Sequence, residues 1–425
     1  MKTVLLYCAT PSTRLQYVCN VVFQQHAGLP FRITNNVFEF TSAHDVLRIN
    51  YSTELIDADE HWVPAGLLFE TDIRTVTPQT ITWNNKPCLF PVDGGDLPYD
   101  VLSAVFYCIS RYEEYTCTER DTFQRFPHTA AWAFRQGVLN RPLVDEWVMD
   151  ILLAWEKKFP ALTMQRPSFQ FIPTYDIDIA YSYNGKPWYK QVAAWTRGEF
   201  SSWLRWKRGL AADPYDAYAQ LDAWHGKFGV TPIYFMLLSA GGSFNKNLPV
   251  HSEAMQQLLT RLKNQYTVGL HPSYCNAHLE TVWQHEKTLL AETKHTRQHY
   301  IRFTLPDTYR VLESLEFEHE YSMGYGSING FRASTSRMFY WYDLEQERMS
   351  NLQVHPFCFM ECNARFEQGL SAADAGKELA DYEQKVRAVS GTLITIWHNF
   401  SLGTDKGWEG WKDVYADSLA RLQAK

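Results

Sequence analysis

The sequence predicts an α/β protein in which a smaller N-terminal α/β unit precedes a larger unit built on a parallel sheet, either open or closed into a barrel. Three observations predict this. The chain has 425 residues, more than one ordinary domain holds, and 45% of them are hydrophobic, enough for sizeable cores. From about residue 168 onward, strand-like runs alternate with helical runs, the rhythm of parallel strands joined by helical crossovers. Pro160 and Pro167 punctuate the junction, so the two units are placed at 1–165 and 166–425.

In the first unit Thr3–Tyr7, Val46–Tyr51 and Thr80–Trp83 read as strands. Val101, Leu102, Val105 and Phe106 recur at helical spacing and predict a helix over Asp100–Arg111; a second runs from about Leu143 to Lys158. The charged stretch Tyr112–Arg125 between them reads as exposed. In the second unit the predicted strands are Phe169–Tyr175, Val230–Leu238, Tyr266–Leu270, Gln298–Phe303, Gln353–Met360 and Thr392–Trp397. Asp213-Pro214 reads as a cap with a first-turn proline, and Ser252 opens another helix. Leu279–Lys294, Asp307–Leu315 and the Ala-, Glu- and Lys-rich Ser371–Val389 complete the helical set.

Composition excludes some classes of function. A net charge of −7 leaves no electrostatic footprint for nucleic acid or an anionic membrane. The eight cysteines are scattered without a Cys-x-x-Cys pair, which argues against a zinc ribbon and for a reduced compartment. The apolar run Val4–Cys8 is too short for a signal-peptide core and no stretch approaches a membrane span, so a cytoplasmic location is expected.

Polar residues fall at the ends of the predicted strands. Asp176 and Asp178 follow Phe169–Tyr175, His271 follows Val268-Gly269-Leu270, and His398 with Asn399 follows Leu393–Trp397. Residues two apart on a strand share a face, so both carboxylates enter one site. Two close carboxylates repel unless a metal or an arginine compensates them. Active sites of open α/β sheets and barrels lie at the C-terminal strand ends. An Asp with one or two His residues is a catalytic divalent-metal set, zinc foremost, and a second carboxylate and a further His supply a base and an acid for metal-assisted hydrolysis.

In that order the landmarks resemble the polysaccharide deacetylase (NodB-homology) family over about 168–400. Thr174-Tyr175-Asp176-Ile177-Asp178 resembles its Thr-Phe-Asp-Asp motif. His271-Pro272-Ser273-Tyr274-Cys275 stands where the family has His-x-x-x-His, and Arg297-Gln298-His299-Tyr300 resembles Arg-Pro-Pro-Tyr. Gly330-Phe331-Arg332-Ala333 and Trp397-His398-Asn399 resemble the remaining two. The wording is similar to a divergent bacterial branch with an uncharacterised N-terminal domain, of which Ser110-Arg111-Tyr112-Glu113-Glu114-Tyr115 looks like a part. The resemblance implies a distorted (β/α) barrel and removal of acetyl groups from an N-acetylated, or O-acetylated, sugar or polysaccharide. It implies Asp176 as general base, Arg297 as its orienting cation, Asp178 and His271 as ligands of one divalent ion (zinc, with cobalt or nickel as alternatives), the Tyr300 N–H as oxyanion donor and His398 as general acid. Arg332 and Trp397 are candidates for substrate binding.

The chain departs from the family in two places. Ile177 separates the two acids, and Cys275 replaces the second metal His. The third ligand is His299, Cys275 or neither; thiolate and imidazole both suit the metal. A competing reading is a non-catalytic carbohydrate-binding or assembly protein on a degenerate barrel; a metal phosphoesterase is weaker, since the rim lacks further cations. His278, His285 and His295 beside helix Leu279–Lys294 read as surface residues, and His355 as structural.

Overall fold

The computed structural model describes residues 3–189, 191, 200–239, 241–275, 279–291 and 293–423; His278 lies outside them. The N-terminal part holds strands β1 (Val4–Tyr7), β2 (Phe31–Thr34), β3 (Leu47–Tyr51) and β4 (Glu60–Trp62), in a parallel sheet of order β2-β1-β3-β4. A hairpin follows, β5 (Thr80–Trp83) and β6 (Lys86–Leu89). Its two-residue turn, Asn84-Asn85, takes positive φ at both positions (47° and 58°), the conformation that matches strand twist and that Asn tolerates best after Gly. Helices Val101–Ile109 and Leu143–Lys158 lie close to their expected bounds. Asp100 caps the former through the Ser103 N–H.

The remaining strands are β7 (Gln170–Ile177), β8 (Ile233–Met236), β9 (Thr267–Leu270), β10 (His295–Thr296), β11 (His319–Glu320), β12 (Phe339–Asp343), β13 (Arg348–Val354), β14 (Phe359–Met360) and β15 (Thr392–His398). They form one nine-stranded sheet of order β12-β13-β11-β10-β9-β8-β7-β15-β14, parallel except for β12–β13. Among the described residues no ladder joins β12 to β14, so the hydrogen-bonded sheet is not closed between these two strands. The sequence reading placed a strand at Gln298–Phe303. The chain instead makes a tight 3₁₀ turn at His299–Ile301, with Tyr300 and Ile301 both at positive φ (59° and 54°), a backbone that cannot continue a ladder. Pro356 lies in the gap between β13 and β14, because it has no N–H to donate. The predicted helix at Asp213 starts at Tyr218; the Asp213 carboxylate instead accepts from the amides of Ser182, Tyr183 and Asn184.

The stretch Tyr112–Arg125 is exposed only in part, at Thr118, Glu119, Arg120, Thr122 and Gln124. Tyr112, Glu114 and Arg125 are buried. Glu114 accepts from Arg111 Nε at 2.7 Å and from Arg332 Nε at 2.8 Å, so one carboxylate ties the N-terminal part to the large sheet. Asp145 does the same, accepting from the Ser336 N–H at 2.7 Å and the Ser336 hydroxyl at 2.6 Å. Tyr17 packs on Tyr342 at 4.9 Å, and one continuous apolar cluster spans both parts.

Burial pushes the Glu114 carboxyl up, but Arg332 and Arg111 more than reverse this and hold it at about 2 against 4.5. A depressed carboxyl contributes stability that is complete above its unfolded value and is lost as pH falls through the folded one. Glu114→Gln is therefore expected to destabilise the protein by about 3 kcal/mol at pH 7. The gap to wild type should narrow as pH falls from 4.5 toward 2. Urea unfolding of both proteins across that range checks this.

Candidate active site

The site is assembled at the C-terminal ends of adjacent strands. Asp176 is the penultimate residue of β7, in register with His398 on β15 and Phe235 on β8. It is buried, and its Oδ1 accepts from Arg297 Nη1 at 2.8 Å. The same Nη1 donates to Thr174 Oγ1 at 2.8 Å, Arg297 Nε donates to the Tyr321 carbonyl at 3.0 Å, and the guanidinium lies 4.3 Å from the Phe235 ring centre. This fully buried arginine is locked on three sides and fixes Asp176, which leaves the second carboxylate oxygen free.

Asp178 follows β7 and is partly exposed. Its Oδ1 is 3.2 Å from His271 Nε2, and its Oδ2 is 3.5 Å from His299 Nε2 and 3.6 Å from His398 Nε2. Burial works against ionisation of Asp178, yet His299 and His271 hold its carboxyl well below the usual range. His271 Nδ1 is 2.6 Å from the Arg297 carbonyl, which can only accept. A proton therefore sits on Nδ1 and Nε2 faces Asp178; burial lowers the His271 pKa, but Asp176 and Asp178 outweigh it and raise it. Nε2 then faces a carboxylate oxygen that, although buried, accepts no aligned hydrogen bond. Such a pair needs a shared cation or proton between them. Asp178, His271 and His299 bring their ligand atoms within 4.8 Å of one another. The donor set, one carboxylate and two imidazoles with an orphaned oxygen, fits a first-row divalent ion.

His398 Nδ1 is 2.9 Å from Glu361 Oε1, which leaves its Nε2 in the cavity, 3.6 Å from Asp178 Oδ2. Glu361 also accepts from the His398 N–H and the Ser401 hydroxyl, both at 2.7 Å. Burial disfavours the imidazolium, but Cys362 and Glu361 outweigh it and raise the His398 pKa well above its ordinary value. Burial also pushes the Cys362 thiol up to about 12, so near neutral pH the charge that holds the proton on His398 is Glu361. Asp176, Asp178, His271, His299, Tyr300 and His398 all line one cavity of about 340 Å³.

Three expected site residues are elsewhere. Cys275 is absent from the ligand group; it lines a neighbouring cavity of about 250 Å³, and its carbonyl accepts from Arg302 Nη1 at 2.7 Å. Arg332, expected at substrate, is buried in the Glu114 ion pair. Trp397, also expected there, is fully buried and packs on Phe359 and Tyr415. Alternation explains the last case: His398 faces the site, so its strand neighbour faces the other side of the sheet. Among the flanking histidines, His285 is exposed as expected, but His295 stacks on His319 at 4.5 Å. His355 is mostly buried, its ring stacked on Tyr321 and packed against His319; burial holds its pKa down at about 3.

Sequence reasoning missed Glu361, which holds His398. A signal existed: an acid directly after the apolar run Phe357-Cys358-Phe359-Met360 is a buried carboxylate at a strand end, the same pattern that marked Asp176.

Residues 4–160 match a family of unknown function (DUF7033). No curated protein matches the chain. Among solved structures, a "putative polysaccharide deacetylase" from Mycobacterium smegmatis is 13% identical with a TM-score of 0.39, covering 61% of this chain and 85% of its own. A second, from Bordetella bronchiseptica and described as involved in O-antigen biosynthesis, is 10% identical with a TM-score of 0.32, covering 60% and 84%. Likeness at this level leaves the function to be argued from the site.

Proposed function

We propose that the chain is a metal-dependent hydrolase that removes acetyl groups from an N-acetylated, or O-acetylated, sugar or glycan, with 166–425 as the catalytic unit. The observation that carries this is the convergence of Asp178, His271 and His299 in one cavity with a guanidinium-anchored carboxylate and a Glu361-held imidazole. Those three side chains would hold one divalent ion, zinc or else cobalt or nickel, which would supply Lewis-acid polarisation of the acetyl carbonyl and a lowered proton affinity for water.

The protein's own groups supply the proton transfers. Asp176 presents a free Oδ2, 3.8 Å from His271 Nε2. It takes a proton from the attacking water as the oxygen bonds to the acetyl carbon. His398 carries a proton at Nε2 and gives it to the departing nitrogen or oxygen as the bond to the acetyl carbon breaks. The products are acetate and a free amine or hydroxyl. The division of labour follows from the surroundings: Arg297 holds Asp176 in place through Oδ1, and Glu361 keeps His398 protonated.

The missing second family histidine favours a degenerate, non-catalytic site; His299, 3.5 Å from the same carboxylate, supports the catalytic reading instead. The test is acetate release from a panel of N- and O-acetylated oligosaccharides by the zinc-, cobalt- and nickel-treated protein. Stoichiometric acetate that disappears with chelation is the expected result. Sugar binding without acetate release would reinstate the non-catalytic reading.

A further inference from the structure

One wall of the cavity is not supplied by the strand ends. It comes from Asp121–Arg125, within the region that matches a family of unknown function. This loop is held in shape by its own bonds. Asp121 Oδ1 accepts from the amides of Phe123 and Arg125, each at 2.9 Å, and its N–H donates to the Arg125 carbonyl at 3.0 Å. Asp121 Oδ2 accepts from Arg125 Nε at 2.7 Å, which aims the guanidinium. Arg125 Nη1 then donates 2.9 Å to the Tyr300 carbonyl, in the left-handed turn that also carries His299. Gly326 makes room for this: a Cβ there would lie 1.9 Å from Arg125 Nη1 and 3.0 Å from the Tyr300 oxygen. Phe123 stacks on Tyr300 with ring centres 5.0 Å apart and planes 20° apart, and both line the cavity.

We propose that this loop completes the substrate site. Arg125 is a positioning residue that fixes the His299–Ile301 turn from outside the sheet. Phe123 with Tyr300 forms an aromatic wall for the apolar face of a pyranose ring in an acetylated glycan. Mutual stacking holds both rings in place, and the ring surface that each leaves to the cavity suits the apolar face of a sugar. The N-terminal region is thereby part of the site. The inference rests on the acetyl-sugar hydrolase reading of the cavity.

The experiment compares the wild-type full chain with Phe123→Ala, Phe123→Tyr, Arg125→Ala and Gly326→Ala, on the same acetylated oligosaccharide panel, with thermal melting as a folding control. Glycan binding by calorimetry is measured beside turnover. Phe123→Ala should weaken binding about five- to tenfold and Phe123→Tyr should restore it. Arg125→Ala and Gly326→Ala break one contact from its two sides. Both should lower kcat at least about tenfold with little change in KM, because small misplacements at a reacting centre cost rate rather than binding. Phe123-dependent binding with no acetate release from wild type would sink the hydrolase reading and leave the wall in place. Full turnover and binding by all four folded variants would overturn this inference and leave the hydrolase reading intact. Neither turnover nor binding by wild type would overturn both.

Discussion

Asp176→Asn is expected to slow acetyl release by about 10²–10⁴-fold, the usual range for loss of a positioned general base. Asn keeps the shape and still accepts from Arg297 Nη1, so the geometry around that arginine survives. What is lost is the basic Oδ2 that faces the cavity. The metal set does not include Asp176, so the variant should hold its ion as wild type does. Acetate release and native mass spectrometry on one preparation separate the two effects. A rate within threefold of wild type, at full metal content, would move the base elsewhere. The Arg297 side is also informative: it carries a buried positive charge whose only carboxylate neighbour within salt-bridge distance among the described residues is Asp176. A folded variant with reduced stability, by about 1–3 kcal/mol, is therefore expected beside the rate loss.

The second large effect separates two ligand candidates. His299→Ala should weaken metal binding more than about 100-fold, since removal of an outer partner alone costs about 10–100-fold. Cys275→Ala should leave metal affinity unchanged, because Cys275 lines the neighbouring cavity and stands outside the group that holds Asp178, His271 and His299. Burial raises the Cys275 thiol, which further disfavours the thiolate a metal needs. Competition with a chromogenic chelator gives both affinities. Loss of the ion from Cys275→Ala with retention in His299→Ala would reverse the assignment.

Much of this site was legible before the structure. Strand ends are readable because apolar runs stop abruptly, and Asp176, Asp178, His271 and His398 all follow such runs. Closure of the sheet is not legible in the sequence, because alternation of strands and helices is common to open and closed parallel sheets. Short strands such as His295–Thr296 and His319–Glu320 were missed for want of length; two residues carry no periodicity. The turn at His299–Ile301 was misread as strand because its residues have good β propensity; no glycine marks the left-handed backbone there. Charge misled in the Tyr112–Arg125 stretch. Glu114 and Arg125 resemble solvated residues in one dimension and become buried only because Arg332 and Tyr300, far along the chain, receive them. The same long-range pairing took Arg332 out of the substrate list. Trp397 was misplaced for a simpler reason, since a strand cannot turn two consecutive side chains to one face.

The most direct test of the account is the metal content of the purified chain after incubation with zinc, by native mass spectrometry, in wild type and in His271→Ala. One ion per wild-type chain, absent from the folded variant, is the predicted result. A folded wild-type chain that takes up no zinc, cobalt or nickel would contradict it, and the three converging side chains would then need another reason to face one another.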